Sequence, residues 1–180
     1  MIVVREITGD DWELMRDVRL AALAEAPSAF GSSHAREVAF TEAQWRGRIS
    51  ERSVTFFAHE DSGCAMPAST GSASTGSAST ESASTGPLGL AGVYVEDGTA
   101  NIVSMWVSPA ARGLGAGAAL VEAAASWAKA RDFRSLLLWV TESNAPARRL
   151  YERCGFTPTG ERQPLPSDPA LPEIRMRRTL

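Results

Sequence analysis

Val107-Ser108-Pro109-Ala110-Ala111-Arg112-Gly113-Leu114-Gly115-Ala116-Gly117 joins an apolar, strand-like run, Ile102 to Val107, to an Ala-rich helical run, Ala118 to Ala130. Arg-Gly-x-Gly-x-Gly at such a join lets the backbone turn tightly and leaves its N–H groups uncovered. The first N–H groups of a helix have no partner within it, and with the helix dipole they hold a phosphate or another anion. Arg112 adds a permanent positive charge. The segment predicts a phosphorylated ligand. No Gly-Lys-Ser/Thr follows, so this is not a Walker loop. A dinucleotide fold needs its glycine turn after the first strand of a βαβ array.

Upstream, the pattern is a strand, two helices and a meander. Ile2 to Ile7 reads as a strand. Asp11 to Ala24 carries Leu14, Met15, Val18, Ala21 and Ala22 at helical spacing, closed by Pro27. Thr41-Glu42-Ala43-Gln44 has capping-box spacing, so a second helix begins near Glu42, turns Trp45 and Ile49 inward and ends near Ser50. Val54 to His59 and Leu88 to Val95 read as strands, and Asp97-Gly98 turns the second of them back as Asn101 to Val107. These three strands form an antiparallel meander, and the glycine turn follows it.

Downstream, Leu120, Val121, Ala124, Ala125, Trp127 and Ala128 mark the apolar side of a long helix. Ser135 to Val140 is almost wholly apolar, as in a central strand buried on both faces. It lies parallel to the strand before the turn, through a right-handed crossover, if the two are neighbours. Asn144 or a neighbour caps the next helix, Pro146 sits in its first turn and Gly155 follows its end. Phe156 to Thr159 is strand-like. Residues 163–172 carry four prolines and read as an exposed loop. Ile174 and Met176 alternate with Arg175 and Arg177 in a half-buried last strand.

The bulk numbers suit one α/β domain: 180 residues, 44% apolar and 22% charged. Residues 68–86 repeat Ala-Ser-Thr-Gly-Ser and cannot bury enough apolar surface to offset ordering, so they read as a flexible loop insertion within that domain. A net charge of −3 argues against nucleic acid as a partner. No apolar run approaches the ~18 residues of a membrane span, and the first residues lack the apolar core of a signal peptide. Cys64 and Cys154 read as free thiols in a reducing compartment, and the expected location is the cytoplasm. His34 and His59 have no carboxylate or thiol at ligand spacing, so no metal is expected.

The run Val107 to Leu120 resembles the acetyl-CoA-binding motif of the GCN5-related N-acetyltransferase (GNAT) superfamily, Gln/Arg-x-x-Gly-x-Gly/Ala, met by Arg112, Gly115 and Gly117. Asn144-x-x-Ala147-x-x-Leu150-Tyr151-x-x-x-Gly155-Phe156 is similar to the second signature of that family. The resemblance covers nearly the whole chain apart from the repeat. It implies a central, mostly antiparallel sheet with one splayed parallel pair, and acetyl transfer from acetyl-CoA to a primary amine in a ternary complex.

The resemblance also assigns roles. The pyrophosphate would sit on backbone N–H groups of Arg112, Gly113, Leu114, Gly115, Ala116, Gly117 and Ala118. The pantetheine would pair with Met105, Trp106 and Val107, and the Val107 N–H would polarise the thioester carbonyl. Asn144 would bond the pantetheine or cap its own helix. Tyr151 would protonate the leaving thiolate, or is an aromatic packed at the helix edge; one position past Leu150, it is expected to face the cleft. Trp106 would wall the acceptor or join the core, as Trp12, Trp45, Trp127 and Trp139 do. Phe30, Ser33 and Glu37 border the acceptor site. Glu37, Glu142 or a water chain is the candidate base. The acceptor is a small molecule or a protein amine, and dimerisation of many relatives implies a homodimer. Rival readings are a non-catalytic acyl-CoA sensor and a transferase of longer acyl groups.

Overall fold

A computed structural model of the chain describes residues 1–49, 53–61 and 86–180. The 68–86 repeat, Gly86 excepted, lies outside the described residues, as does Cys64. Seven strands form one sheet: β1 (Ile2–Glu6), β2 (Ser53–Glu60), β3 (Gly89–Glu96), β4 (Thr99–Val107), β5 (Ser135–Thr141), β6 (Thr157–Leu165) and β7 (Asp168–Thr179). Their order is β1-β2-β3-β4-β5-β7-β6, and only β4 and β5 run parallel. The helices are α1 (Trp12–Glu25), α2 (His34–Glu37), α3 (Glu42–Arg46), α4 (Ala116–Lys129) and α5 (Ala145–Arg153). The fold is the mixed α/β domain expected from the meander and the parallel pair.

Each face of the sheet has its own core. Alternation sends Ile102, Leu136, Leu138, Val140, Ile174 and Met176 to one face, where α4 lays Leu120, Val121 and Ala124 on them. The small side chains of α4 let the helix lie close to the sheet. On the other face α1 packs Met15, Val18 and Leu23 with Phe57, Leu90 and Phe30. Asp97 at φ 48° and Gly98 at φ 73° turn β3 into β4, both in the left-handed conformation that the Asp-Gly pair tolerates.

Several local expectations are corrected. Residues 163–172 are not a loop: they belong to the β6–β7 hairpin, in which Pro164 faces Pro172 and Leu165 is fully buried. Proline is tolerated there because β6 is an edge strand and β7 meets β5 only from Glu173 onward. Residues 34–37, to which the sequence pattern assigns no element, form the single turn α2, which Ser33 caps by accepting from the Arg36 N–H at 3.3 Å. Of the tryptophans expected in the core only Trp45 is buried, while Trp12, Trp127 and Trp139 are half-buried. The helix holding Trp45 has its capping box and ends at Arg46, earlier than its pattern suggests. The helix after the glycine turn begins at Ala116, two residues before the Ala-rich run.

Beneath α1 lies a buried ion cluster. Glu37, fully buried, accepts from Arg19 Nε at 3.0 Å and from Arg19 Nη2 at 2.9 Å, and Arg48 Nη1 stands 3.4 Å away. Burial alone pushes the carboxyl up. The Arg19 hydrogen bonds, then the charges of Arg19 and Arg48, outweigh burial and hold Glu37 below the usual carboxylate range. Glu37→Gln leaves two guanidinium groups without their anion and should destabilise the fold by about 3–5 kcal/mol in urea denaturation. Because the folded carboxyl titrates below its unfolded value, its contribution is complete above pH ~4.3 and is lost as the pH falls further. Wild type should show this acid loss and the variant should lack it.

Candidate active site

The site begins where β4 and β5 part. Their parallel pairing covers only Ala100 to Ile102 against Leu136 to Leu138. Beyond it, Leu90 still pairs with Trp106 but Gly92 pairs with Val103, so β4 carries an extra residue opposite Ala91. Ser104 takes the strain of this bulge in the left-handed region, at φ 59°. The Ser108 N–H bonds the Leu88 carbonyl across β3 at 2.8 Å. Strand alternation then turns the backbone groups of Val107 and Met105 the other way, toward the gap left by β5. A cavity of about 820 Å³ fills that gap and continues to the glycine turn.

The glycines act in two ways. Gly113 (φ 81°) and Gly115 (φ 93°) take left-handed conformations, and no atom lies within 4 Å of where a Cβ would stand on either. The turn is therefore not sealed beneath side chains. Gly117 is there for packing: a Cβ would approach Leu150 Cδ2 to 2.9 Å and Val107 Cγ2 to 3.5 Å. No side chain caps α4, and its first i→i−4 bond is the Ala119 N–H to the Gly115 carbonyl at 3.0 Å. The N–H groups of Ala116, Gly117 and Ala118 precede that bond. Leu114 projects into solvent with its N–H on the Ala111 carbonyl at 3.3 Å, Ala116 is fully buried, and neither lines the cavity.

Arg112 does not stand free beside the turn. Its Nε donates to the Val107 carbonyl at 3.1 Å and its Nη2 to Glu25 Oε2 at 2.6 Å. Trp106 Nε1 donates to the same carboxylate oxygen at 2.9 Å, and its half-buried ring packs against the α1-side core. Hydrogen bonds from Arg112, then Trp106, hold Glu25 below the usual carboxylate range. Glu25 is a site residue that sequence reasoning missed. Its signal was an acid in the last turn of a helix, where the dipole disfavours one unless a cation is near.

Asn144 caps α5, its side-chain oxygen accepting from the Ala147 N–H at 3.2 Å, while it also lines the cavity. Tyr151 lines it too. This tyrosine is 5% exposed, belongs to the α4-side core and packs on Phe156 at 5.8 Å between ring centres, while Leu150 beside it is half-buried. Burial, then Cys154, pushes the phenol up, so it stays protonated. Neither expected base reaches the cavity. Glu37 is committed to its arginines, and Glu142 bonds Arg162 Nη2 at 3.0 Å. Of the other expected acceptor-side residues, Phe30 lines a second cavity and Ser33 caps α2; His34 opens that helix. His59 lies on β2 against Phe57.

The profile of the acetyltransferase (GNAT) family matches residues 23–156. The chain belongs to that family. A putative [ribosomal protein bS18]-alanine N-acetyltransferase of Bacillus subtilis is 35% identical over 75 residues, 42% of this chain and 50% of that protein. A mycothiol acetyltransferase of Beutenbergia cavernae is 43% identical over 60 residues, 33% of this chain and 20% of that protein. The match thus spans half or less of these curated relatives. The crystal structure of the ribosomal-protein-S18-alanine N-acetyltransferase from Escherichia coli superposes with a TM-score of 0.65 at 18% identity, covering 99% of this chain and 94% of that one, a likeness of fold. In this GNAT chain no helix among the described residues is long and apolar enough to cross a membrane.

Gly115→Ala and Gly117→Ala should each destabilise by about 1–2 kcal/mol, the first through its φ and the second through Leu150. Double-mutant cycles with Leu150→Ala separate them. Coupling of at least ~0.5 kcal/mol is expected for 117 and none for 115.

Proposed function

We propose that this GNAT chain transfers an acetyl group from acetyl-CoA to a primary amine, with both substrates bound together and no covalent enzyme intermediate. The observation that carries the reading is continuity: one cavity joins the open edge of β4, the uncovered turn before α4 and the Tyr151 phenol. The N–H groups of Gly113, Gly115, Ala116, Gly117 and Ala118 would hold the diphosphate, and a Lys-free turn can do so because the helix start supplies the partial charge. The pantetheine amides would pair with Met105 and Val107 as an added strand. The Val107 carbonyl is then wanted by the ligand, so Arg112 must release it on binding.

The Val107 N–H would meet the thioester oxygen as charge gathers there. Holding the amine against the carbonyl carbon supplies much of the rate. Tyr151 would donate to the departing sulfur. A phenol is a weaker acid than a thiol and burial raises it further, so the proton would move only in concert with C–S cleavage, as desolvation makes the departing thiolate more basic. Asn144 fixes the start of α5 and so the height of Tyr151. The relatives are named for mycothiol and for the alanine of a ribosomal protein, and the acceptor proposed here is a primary amine on a small molecule or on a protein. A cytoplasmic setting suits the free Cys154 and the supply of acetyl-CoA.

Thiol release from acetyl-CoA with a panel of small amines and N-terminal peptides tests the activity. Turnover of at least one acceptor is expected. Coenzyme A binding without any turnover would make the chain an acyl-CoA sensor, and preference for longer acyl-CoA would redefine the donor. On the active pair, Tyr151→Phe should lower kcat by about a hundredfold or more and leave coenzyme A affinity within about twofold. Unchanged kcat across the pH range removes Tyr151 from the reaction.

A further inference from the structure

On the sheet face opposite α4 a second cavity, of about 570 Å³, shares Ile102, Val103, Ser104, Trp139 and Ala29 with the first. The two meet where β4 and β5 part, so an amine reaching the thioester enters from this side; the inference that follows rests on the acetyl-transfer reading. Glu173 lines the second cavity and is 7% exposed. It stands on β7 opposite Thr141, the last residue of β5. Gln163 Nε2, across the β6–β7 ladder, donates to its Oε2 at 3.0 Å.

The arginines around it are paired with other carboxylates, though Arg19 Nη1 and Arg175 Nε, on residues that line the same cavity, are buried without a hydrogen-bond partner. From α1, Arg19 is held by Glu37 at 2.9 Å. Arg175, on β7 itself, is held by Glu161 of β6 at 2.8 Å and lies 5.5 Å from the Trp139 ring. Arg162 of β6 is held by Glu142, just past β5, at 3.0 Å. Glu96 and Asp97, at the β3–β4 turn, are further carboxylates on the same cavity. Among the described residues no cation pairs with Glu173. A carboxylate this buried, with one neutral donor, is costly to ionise unless a cation joins it. Burial pushes it up more than the Gln163 hydrogen bond lowers it, which makes it a stronger proton acceptor near neutral pH than a solvated glutamate.

We propose that Glu173 is the anion that receives the acceptor's ammonium group and takes its proton, directly or through one water, before attack on the thioester. The proton leaves R–NH₃⁺ for the Glu173 carboxylate and later passes to solvent. The freed lone pair forms the C–N bond. Collapse of the tetrahedral adduct breaks the C–S bond, and sulfur keeps the electron pair and takes a proton from Tyr151. The second proton lost by nitrogen restores the phenol through solvent. The balance is one amide, one free thiol and one released proton.

Two measurements on the full chain test this. In protein labelled with ¹³C-glutamate, the δ-carboxyl resonance that disappears in Glu173→Gln should titrate above the ordinary glutamate range. It should also move when n-butylammonium is added with coenzyme A at neutral pH. Titration in the ordinary range, or no response to butylammonium, overturns the proposal. With any amine that turns over, Glu173→Gln should lower kcat/KM at pH 7 by about a hundredfold or more. The loss should shrink as the pH nears the amine's own pKa, with coenzyme A affinity retained. A loss equal at every pH, or a loss of coenzyme A affinity, assigns Glu173 a structural role and overturns it. If no amine turns over, the acetyl-transfer reading fails, while the resonance still decides whether this cavity holds an ammonium group.

Discussion

The parallel pairing of β4 with β5 lasts three residue pairs, and the site exists because it stops there. Backbone N–H and C=O groups in a folded interior must find partners. Past Ile102, β4 keeps β3 on one side and, among the described residues, pairs with no strand on the other. The Ser104 bulge bends the strand, and Gly117 lets α4 close in on Leu150 and Val107 so that α5 stands beyond the gap. The result is a short strand edge inside the protein, ending at a helix start with no side-chain cap. A ligand bearing amides along its length and a diphosphate at one end complements both features.

Carboxylates near this gap divide by what neutralises them. Glu37 is enclosed by two arginines and works for the fold. Glu25 ties the end of α1 to Arg112 and Trp106, linking that helix to the glycine turn. Glu173 has only an amide donor and faces a cavity. A held carboxylate is pushed down and an unpaired buried one is pushed up, so neighbouring acids on one scaffold come to differ in proton affinity. In the proposed reaction that difference separates the residues that keep the acceptor wall in place from the one that accepts a proton.

The order of elements and the glycine turn were legible because they rest on local rules: alternation in β2 to β5, a capping box at Thr41, an Asp-Gly turn, a Pro after an Asn cap. The residues missed depend on distant partners. Prolines 164, 166, 169 and 172 suggest a loop unless the edge position of β6 and the late arrival of β5 beside β7 are known. Glu173 alternates with Ile174 like Arg175 and Arg177 do, and nothing local says that its face is covered. Glu37 looked available as a base because the arginine that claims it lies eighteen positions earlier. How deeply Tyr151 sits depends on its contact with Phe156, and how near Leu150 comes to α4 depends on Gly117, neither of which the pattern of α5 itself reveals.

The central claim is that the uncovered amides before and within the first turn of α4 grip a diphosphate. Calorimetric titration of the full chain with coenzyme A and, separately, with pantetheine, which lacks that group, tests it most directly. Coenzyme A should bind at least about tenfold more tightly, a difference of about 1.4 kcal/mol. Equal affinity, or no heat with coenzyme A at all, contradicts the account.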